Sequence, residues 1–358
     1  AEYAKRFILT GVKIVGGCCG TTPSHIKAIR GAIRALQPPK RHISPVILAM
    51  EERKEEELVP KREKSELGRK LEEEKFIISM EIVPPRGHDP SQAIEIARRL
   101  KREGIDCINI PDGPRASARM SSIALAFILT SQAQMEVVLH YTCRDRNLLG
   151  MQSDLLGMYA QKIRNILIIT GDPPKLGDYP DATAVFDVDS IGLTNVVSYL
   201  NRGIDIGGKK IGEPTAFLIG VGANPGAINL DYEISRFERK VEAGAEFAIT
   251  QPVFDIGLLE NFLNRIAHCR IPVLAGIWPL SSLRNAEFMH NEVPGANIPP
   301  RIMERMRRAQ EISPERAKQE GIFIAQEILK ALKGKVQGIQ LSPPLGNYEL
   351  ALEVLKAL

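Results

Sequence analysis

Two carboxylates are the residues best suited to chemistry. Glu81 ends an apolar run, Phe76-Ile77-Ile78-Ser79-Met80-Glu81-Ile82-Val83, directly before Pro84-Pro85. A carboxyl group on such a strand is shielded from water, which favours its neutral form and lets it hold a proton near pH 7. Asp172 follows Thr170-Gly171, a flexible turn where a carboxylate stays hydrated and charged. One acid and one anion could move a proton and stabilise a cation. Spacing alone equally allows two unrelated strand-end acids bound to backbone amides or arginines.

Other polar residues end other β-like runs: Pro111 and Asp112, His140, Thr142 and Cys143, Gly222 and Asn224, Thr250 and Gln251, Trp278, and Gln340 with Ser342. His140 stands alone on its strand, and no HxH or HExxH pattern accompanies it, so a satisfied core histidine is the plain reading. Asn224-Pro225-Gly226 is either a simple turn or a loop whose amides cradle phosphate. Arg236, Arg239 and Lys240 lie at helical spacing after it, giving a solvated face or a grip on a diphosphate. Cys18-Cys19 offers two thiolates, but zinc wants at least three protein ligands, and residues 1–37 supply no third.

The elements that must position these residues alternate. β-like runs are expected at 76–83, 105–110, 136–141, 165–170, 215–221, 246–251, 272–277 and 337–342. Helical stretches are expected at 91–103, 115–130, 147–163, 190–202, 231–243, 256–267 and 315–333. Eight βα units over this length fit an α/β (β/α)8 TIM barrel, whose catalytic groups project from the strand C-termini. A doubly wound sheet would show a glycine fingerprint after its first strand, where this chain has Glu-Ile-Val-Pro-Pro. Ahead of the barrel, residues 1–37 read as a small βα unit: a short run Val12–Val15, a loop, and a helix through Ile26, Ile29, Ile33 and Leu36. That unit is too small to hold a core alone. Residues 38–70 read as a charged linker with helical pieces. From Glu51 to Lys75, 18 of 25 residues are charged, the composition of a solvated segment.

The bulk figures narrow the partners. A net charge of +4 spread over 358 residues argues against nucleic-acid binding. No apolar run is long enough to span a membrane, and no signal peptide is evident. The absence of an initial Met reads as a fragment or a processed chain. Five cysteines without a framework point to a reducing compartment, hence the cytoplasm.

Residues 71–358 resemble the methylenetetrahydrofolate reductase family. The resemblance is carried by Ser79-Met80-Glu81-Ile82-Val83-Pro84-Pro85-Arg86, His140-Tyr141-Thr142-Cys143, Thr170-Gly171-Asp172, and Arg239-Lys240-Val241-Glu242-Ala243-Gly244-Ala245 leading into Ile249-Thr250-Gln251-Pro252-Val253-Phe254-Asp255. Residues 1–37 resemble the end of a homocysteine S-methyltransferase domain, through Gly16-Gly17-Cys18-Cys19-Gly20-Thr21. Together they resemble the C-terminal part of a bifunctional methyltransferase–reductase. Its zinc would belong with the missing upstream part, so methyltransferase activity is not expected of this fragment.

The resemblance implies flavin-dependent reduction of 5,10-methylenetetrahydrofolate to 5-methyltetrahydrofolate, with FAD or FMN as cofactor and NAD(P)H as hydride donor. It implies Glu81 as general acid and Asp172 beside flavin and pterin. It implies flavin contacts from His140, Thr142, Thr170, Gly171, Asp172, Asn224, Arg239 and Lys240, and folate contacts from Gln251, Asn285 and Met289. A homo-oligomer is also expected. The sequence departs from the family at Pro111, Thr170, Gly220 and Met289, and in having Asn347 near an expected arginine. Two other readings are a flavin-free pterin-using barrel enzyme, a methyltransferase or lyase, and a non-catalytic folate-binding remnant.

Overall fold

The computed structural model describes residues 14–36, 58–293 and 295–358, with Ala4, Phe7 and Val12. Two compact units divide the chain, at residues 1–47 and 48–358. The first includes the helix Pro23–Leu36, and Ala4 and Phe7 are helical as well. Val12, Ile14 and Val15, expected as a strand, are not in one. The linker from 38 to 57 lies outside the described residues.

The second unit is a closed barrel of eight parallel strands in sequence order. They are β1 Ile77–Glu81, β2 Cys107–Ile110, β3 Val137–Thr142, β4 Asn165–Ile169, β5 Leu218–Ala223, β6 Phe247–Pro252, β7 Val273–Ile277 and β8 Gly338–Leu341. The TIM-barrel expectation is therefore met. Alternation along each strand makes two cores. Inside the barrel lie Ile77, Cys107, Val138, Leu167, Leu218, Phe247 and Leu274. Between strands and helices lie Met80, Ile108, Leu139, Ile168, Val221, Ala248 and Ile339. Residues an even number of places on from the inner set, with Glu81 four on from Ile77 and His140 two on from Val138, therefore face the lumen.

The charged segment does more than link. Its described end forms two short helices, Lys61–Lys64 and Glu66–Glu72. Leu67 and Leu71, one helical turn apart, join the inner core and close the strand N-terminal end. Lys64 is buried, with Nζ 2.8 Å from Glu246 Oε2 and donating to Phe217 O at 3.2 Å. Composition marks this stretch as solvated because its exposed faces are charged, and two leucines suffice to anchor it.

Other differences have local causes. The helix expected from 115 starts at Ser122, because Arg115 and Ala116 sit at positive φ of 56° and 50° and break any helix before it. Helices Leu283–Glu292, Pro300–Ile312 and Tyr348–Leu355 were not foreseen. The first two are polar on average.

Candidate active site at the strand C-termini

Glu81 ends β1 facing the lumen, and burial pushes its carboxyl up to about 7. Its one hydrogen bond is long: Ser342 Oγ donates to Oε2 at 3.4 Å. Gln340 Nε2 in turn donates to Ser342 Oγ at 2.9 Å. Tyr348 stands near Glu81, and burial together with that carboxyl raises its phenol. The wall round Glu81 is thus neutral and weakly hydrogen-bonded, which is what keeps a carboxylic acid protonated near pH 7.

His140 is almost fully buried on β3, and burial pushes its imidazole down to about 4, so it is neutral. Its Nε2 lies 3.1 Å from Asn109 Oδ1, Asn109 Nδ2 donates to Ser79 Oγ at 2.8 Å, and Ser79 Oγ donates to Ile339 O at 3.1 Å. The final carbonyl can only accept, so Asn109 offers its oxygen to His140, and Nε2 carries the proton.

Asp172 is exposed on the loop after β4, where its backbone carbonyl accepts from Arg144 at 3.4 Å. Gly171 makes that loop possible. It sits at φ 89°, and a Cβ there would lie 2.9 Å from Thr142 Cβ. Thr170 is exposed, and its Oγ1 accepts from Ser190 N at 3.4 Å. Thr142 is buried and donates through both N and Oγ1 to Asp112 Oδ2, at 3.1 and 2.9 Å.

At the end of β5, Lys240 reaches back from the helix Leu230–Glu242. Its Nζ donates to Gly222 O at 2.8 Å and lies 4.0 Å from Glu233. Burial lowers its pKa, the mark of an incompletely compensated cation. Asn224 donates its N–H to Glu233 Oε1 at 3.1 Å, while its side-chain Oδ1 is buried with no donor. Gln251 is the penultimate residue of β6 and is exposed.

Three expected contacts stand differently. Arg239 is exposed on the last turn of its helix, the end that points away from the mouth. Arg236, a turn nearer, holds Asp189 at 3.0 Å and Ser190 Oγ at 3.4 Å. Asn285 is engaged by its own loop, its Oδ1 accepting from Trp278 Nε1 at 3.3 Å and Ser281 N at 3.2 Å. Met289 is 1% exposed within the outer core; an apolar side chain on a short helix is drawn inward. Gly220 is sealed from the mouth by the Phe247 ring, 2.3 Å from where a Cβ would stand. Cys18 and Cys19 are exposed, and the described residues contain no group of three metal-ligating side chains.

Sequence reasoning assigned no role to the ionic belt outside the mouth. Asp112 accepts from Ser122, Thr142 and Arg146, and the adjacent guanidinium keeps its carboxyl below the usual range despite burial. Arg146 also pairs with Asp154 at 2.8 Å, which accepts from Tyr141 OH at 2.9 Å. Arg144 is clamped on Asp145 and donates to Gly113 O and Asp172 O. The alternating Arg144-Asp145-Arg146 directly after β3 was the available signal.

The strand C-terminal end thus carries the buried Glu81, a neutral imidazole, the exposed Gln251 and Asp172, and a buried lysine. An isoalloxazine with an anionic tail suits this set: Asn224 Oδ1 lacks a donor, and Lys240 has only the long pairing with Glu233 at 4.0 Å. A groove of about 660 Å³ at the other end, lined by Lys70, Asp106, Glu136 and Asn165, lies at the strand N-termini, remote from these groups.

Comparison with known proteins gives a consistent picture. The family model described as methylenetetrahydrofolate reductase matches residues 66–358, and that described as homocysteine S-methyltransferase matches residues 1–33. A probable methylenetetrahydrofolate reductase (NADH) of Oryza sativa subsp. japonica is 25% identical over 230 residues, 61% of this chain and 38% of that protein. The chain spans less than two fifths of that relative and of the Schizosaccharomyces pombe methylenetetrahydrofolate reductase 2, of which it covers 36% at 27% identity. It is also 25% identical to the 5,10-methylenetetrahydrofolate reductase of Pectobacterium carotovorum subsp. carotovorum, over 71% of this chain and 80% of that one. Among solved structures, an uncharacterised Clostridium thermocellum protein that binds two copies of 5-methyl-5,6,7,8-tetrahydrofolic acid shares the fold, with TM-score 0.54 and 14% identity over 81% of this chain and 97% of that one.

Proposed function

Because this chain belongs to the methylenetetrahydrofolate reductase family, we propose that its barrel mouth reduces 5,10-methylenetetrahydrofolate to 5-methyltetrahydrofolate, using FAD and NAD(P)H. The observation that carries the reading is the Glu81 carboxyl, held near neutrality in the lumen by burial. A bound flavin would supply hydride transfer between the nicotinamide and the folate.

This chain's own residues would do the rest. Glu81 gives its proton to a nitrogen of the folate imidazolidine ring. The C–N bond opens, and the methylene carbon becomes an electrophilic iminium. The Asp172 carboxylate, exposed on the loop after β4, would stabilise that cation. Gln251 can donate to and accept from the pterin edge. His140 would offer the ring system an uncharged hydrogen-bonding group, since its proton is committed to Asn109. Lys240 and the Asn224 loop would hold the cofactor tail.

The test separates the half-reactions. Glu81→Gln should slow folate reduction by roughly 10²–10⁴-fold, while NAD(P)H still reduces the flavin at near wild-type rate in anaerobic stopped-flow. Equal loss of both half-reactions would make Glu81 structural and overturn the assignment.

A further inference from the structure

A chain of buried hydrogen bonds crosses the lumen beneath the mouth. It runs from His140 on β3 to Asn109 on β2, to Ser79 on β1 and to the carbonyl of Ile339 on β8, at 3.1, 2.8 and 3.1 Å. Ser79 and Asn109 have no exposed surface. Polar groups so deeply buried are costly unless each bond is made. Ile339 O only accepts, so the single Ser79 hydroxyl proton goes to it. Ser79 Oγ then accepts from the Asn109 amide, and Asn109 Oδ1 is left to accept from His140 Nε2.

The other side of the imidazole is left open. A neutral ring that donates from Nε2 carries a bare lone pair on Nδ1. Asp112 is the charged group that acts on this ring, but its carboxylate is taken by Ser122, Thr142 and Arg146. Nδ1 has no hydrogen-bond partner among the described residues. Nor is it sealed in: the buried side-chain atoms left without a partner there are Arg119 Nε, Thr130 Oγ1, Asn165 Oδ1 and Asn224 Oδ1, and His140 keeps 9% of its surface. Val138, two residues back, and Leu167, the register partner of His140 on β4, fill the lumen below it. The open surface of the ring therefore faces the mouth.

We propose that Asn109 and Ser79 are positioning residues that hold His140 with Nδ1 as a bare acceptor at the mouth, so that the site selects a ligand presenting a ring N–H there. Imide and lactam N–H groups have this character, and the isoalloxazine and the pterin each carry one. A ligand offering only a lone pair at that point meets a second lone pair and is disfavoured. The tautomer stands on its own geometry; that the ligand is a flavin or a folate rests on the function proposed above.

The test is an NMR experiment on the full chain with isotope-labelled histidine. The chain holds 6 histidines, and the His140 ring is assigned by the loss of its signals in His140→Gln. Long-range proton–nitrogen correlations at pH 7 should show a protonated Nε2 and a bare Nδ1. A ring protonated at Nδ1 overturns the inference with no ligand involved. Asn109→Ala removes the acceptor and should turn the single tautomer into a mixture. Ser79→Ala, which frees the Asn109 amide to turn over, should do the same if Asn109→Ala fails to fold. A pure Nε2–H tautomer in every folded variant makes the two residues mere packing and overturns their positioning role. FMN and 5-methyltetrahydrofolate are then added separately to the wild type. The ligand that moves the Nδ1 resonance into the hydrogen-bonded range, with Nε2 unmoved, is the one whose N–H is accepted, and its Kd should rise roughly two- to tenfold in Asn109→Ala or Ser79→Ala. Binding of both ligands with Nδ1 unmoved overturns the acceptor role. If neither ligand binds, the reductase reading falls together with the ligand assignment, while the tautomer result stands.

Discussion

Glu81 shows how one residue couples chemistry to stability. Its carboxyl is easier to protonate in the fold than in the unfolded chain. The stability it contributes is therefore fully present below the ordinary carboxylate range and is lost as the pH rises through about 7. At pH 8 the buried charge costs on the order of 1–3 kcal/mol. Glu81→Gln should thus stabilise the protein at pH 8 and change little at pH 4.5, in denaturant melts at the two values. Equal effects at both would mean the carboxyl is not buried as described. The same protonation governs rate: folate reduction should fall as the pH climbs through about 7. At this scale the sequence was readable where a residue's role follows from its strand position. Glu81 and His140 face the lumen because the period-2 alternation of their strands puts them there. It was less readable where a side chain's length and neighbours decide. Lys240 and Arg239 are adjacent in sequence, yet one is buried at Gly222 O and the other exposed on the far turn.

At the scale of elements, the alternation of apolar runs and helical stretches made the barrel legible, because eight parallel strands buried on both faces each leave a strong signal. Turn-dependent features were not. Positive φ at Arg115 and Ala116 is not written in residue type, and it delays the helix to Ser122. The floor helix Glu66–Glu72 was hidden by its charge. Leu67→Ala should cost about 2–5 kcal/mol, read from the shift of a urea unfolding midpoint. A loss below ~0.5 kcal/mol, the range of a surface change, would return the segment to a solvated linker. Gly220 tests the inner packing. A Cβ there would stand 2.3 Å from the Phe247 ring, so Gly220→Ala should destabilise by about 1–3 kcal/mol, whereas Gly222→Ala, with 3.6 Å to Ile169 Cγ2, should unfold close to wild type. Equal melting of the two variants would contradict the layer assignment.

At the scale of the whole molecule, two family matches share one chain, with the reductase match covering the barrel and its floor helix. Among the described residues, no helix is long and apolar enough to cross a membrane. The barrel brings to one end groups that lie far apart in sequence, such as Glu81 and Ser342. The most direct test is an anaerobic absorbance scan of the purified chain, before and after NADH and then methylenetetrahydrofolate. The proposed reductase should show an oxidised-flavin spectrum that bleaches with the nucleotide and returns with the folate. A chain that carries no flavin, and takes up neither FAD nor FMN when they are added, would contradict it.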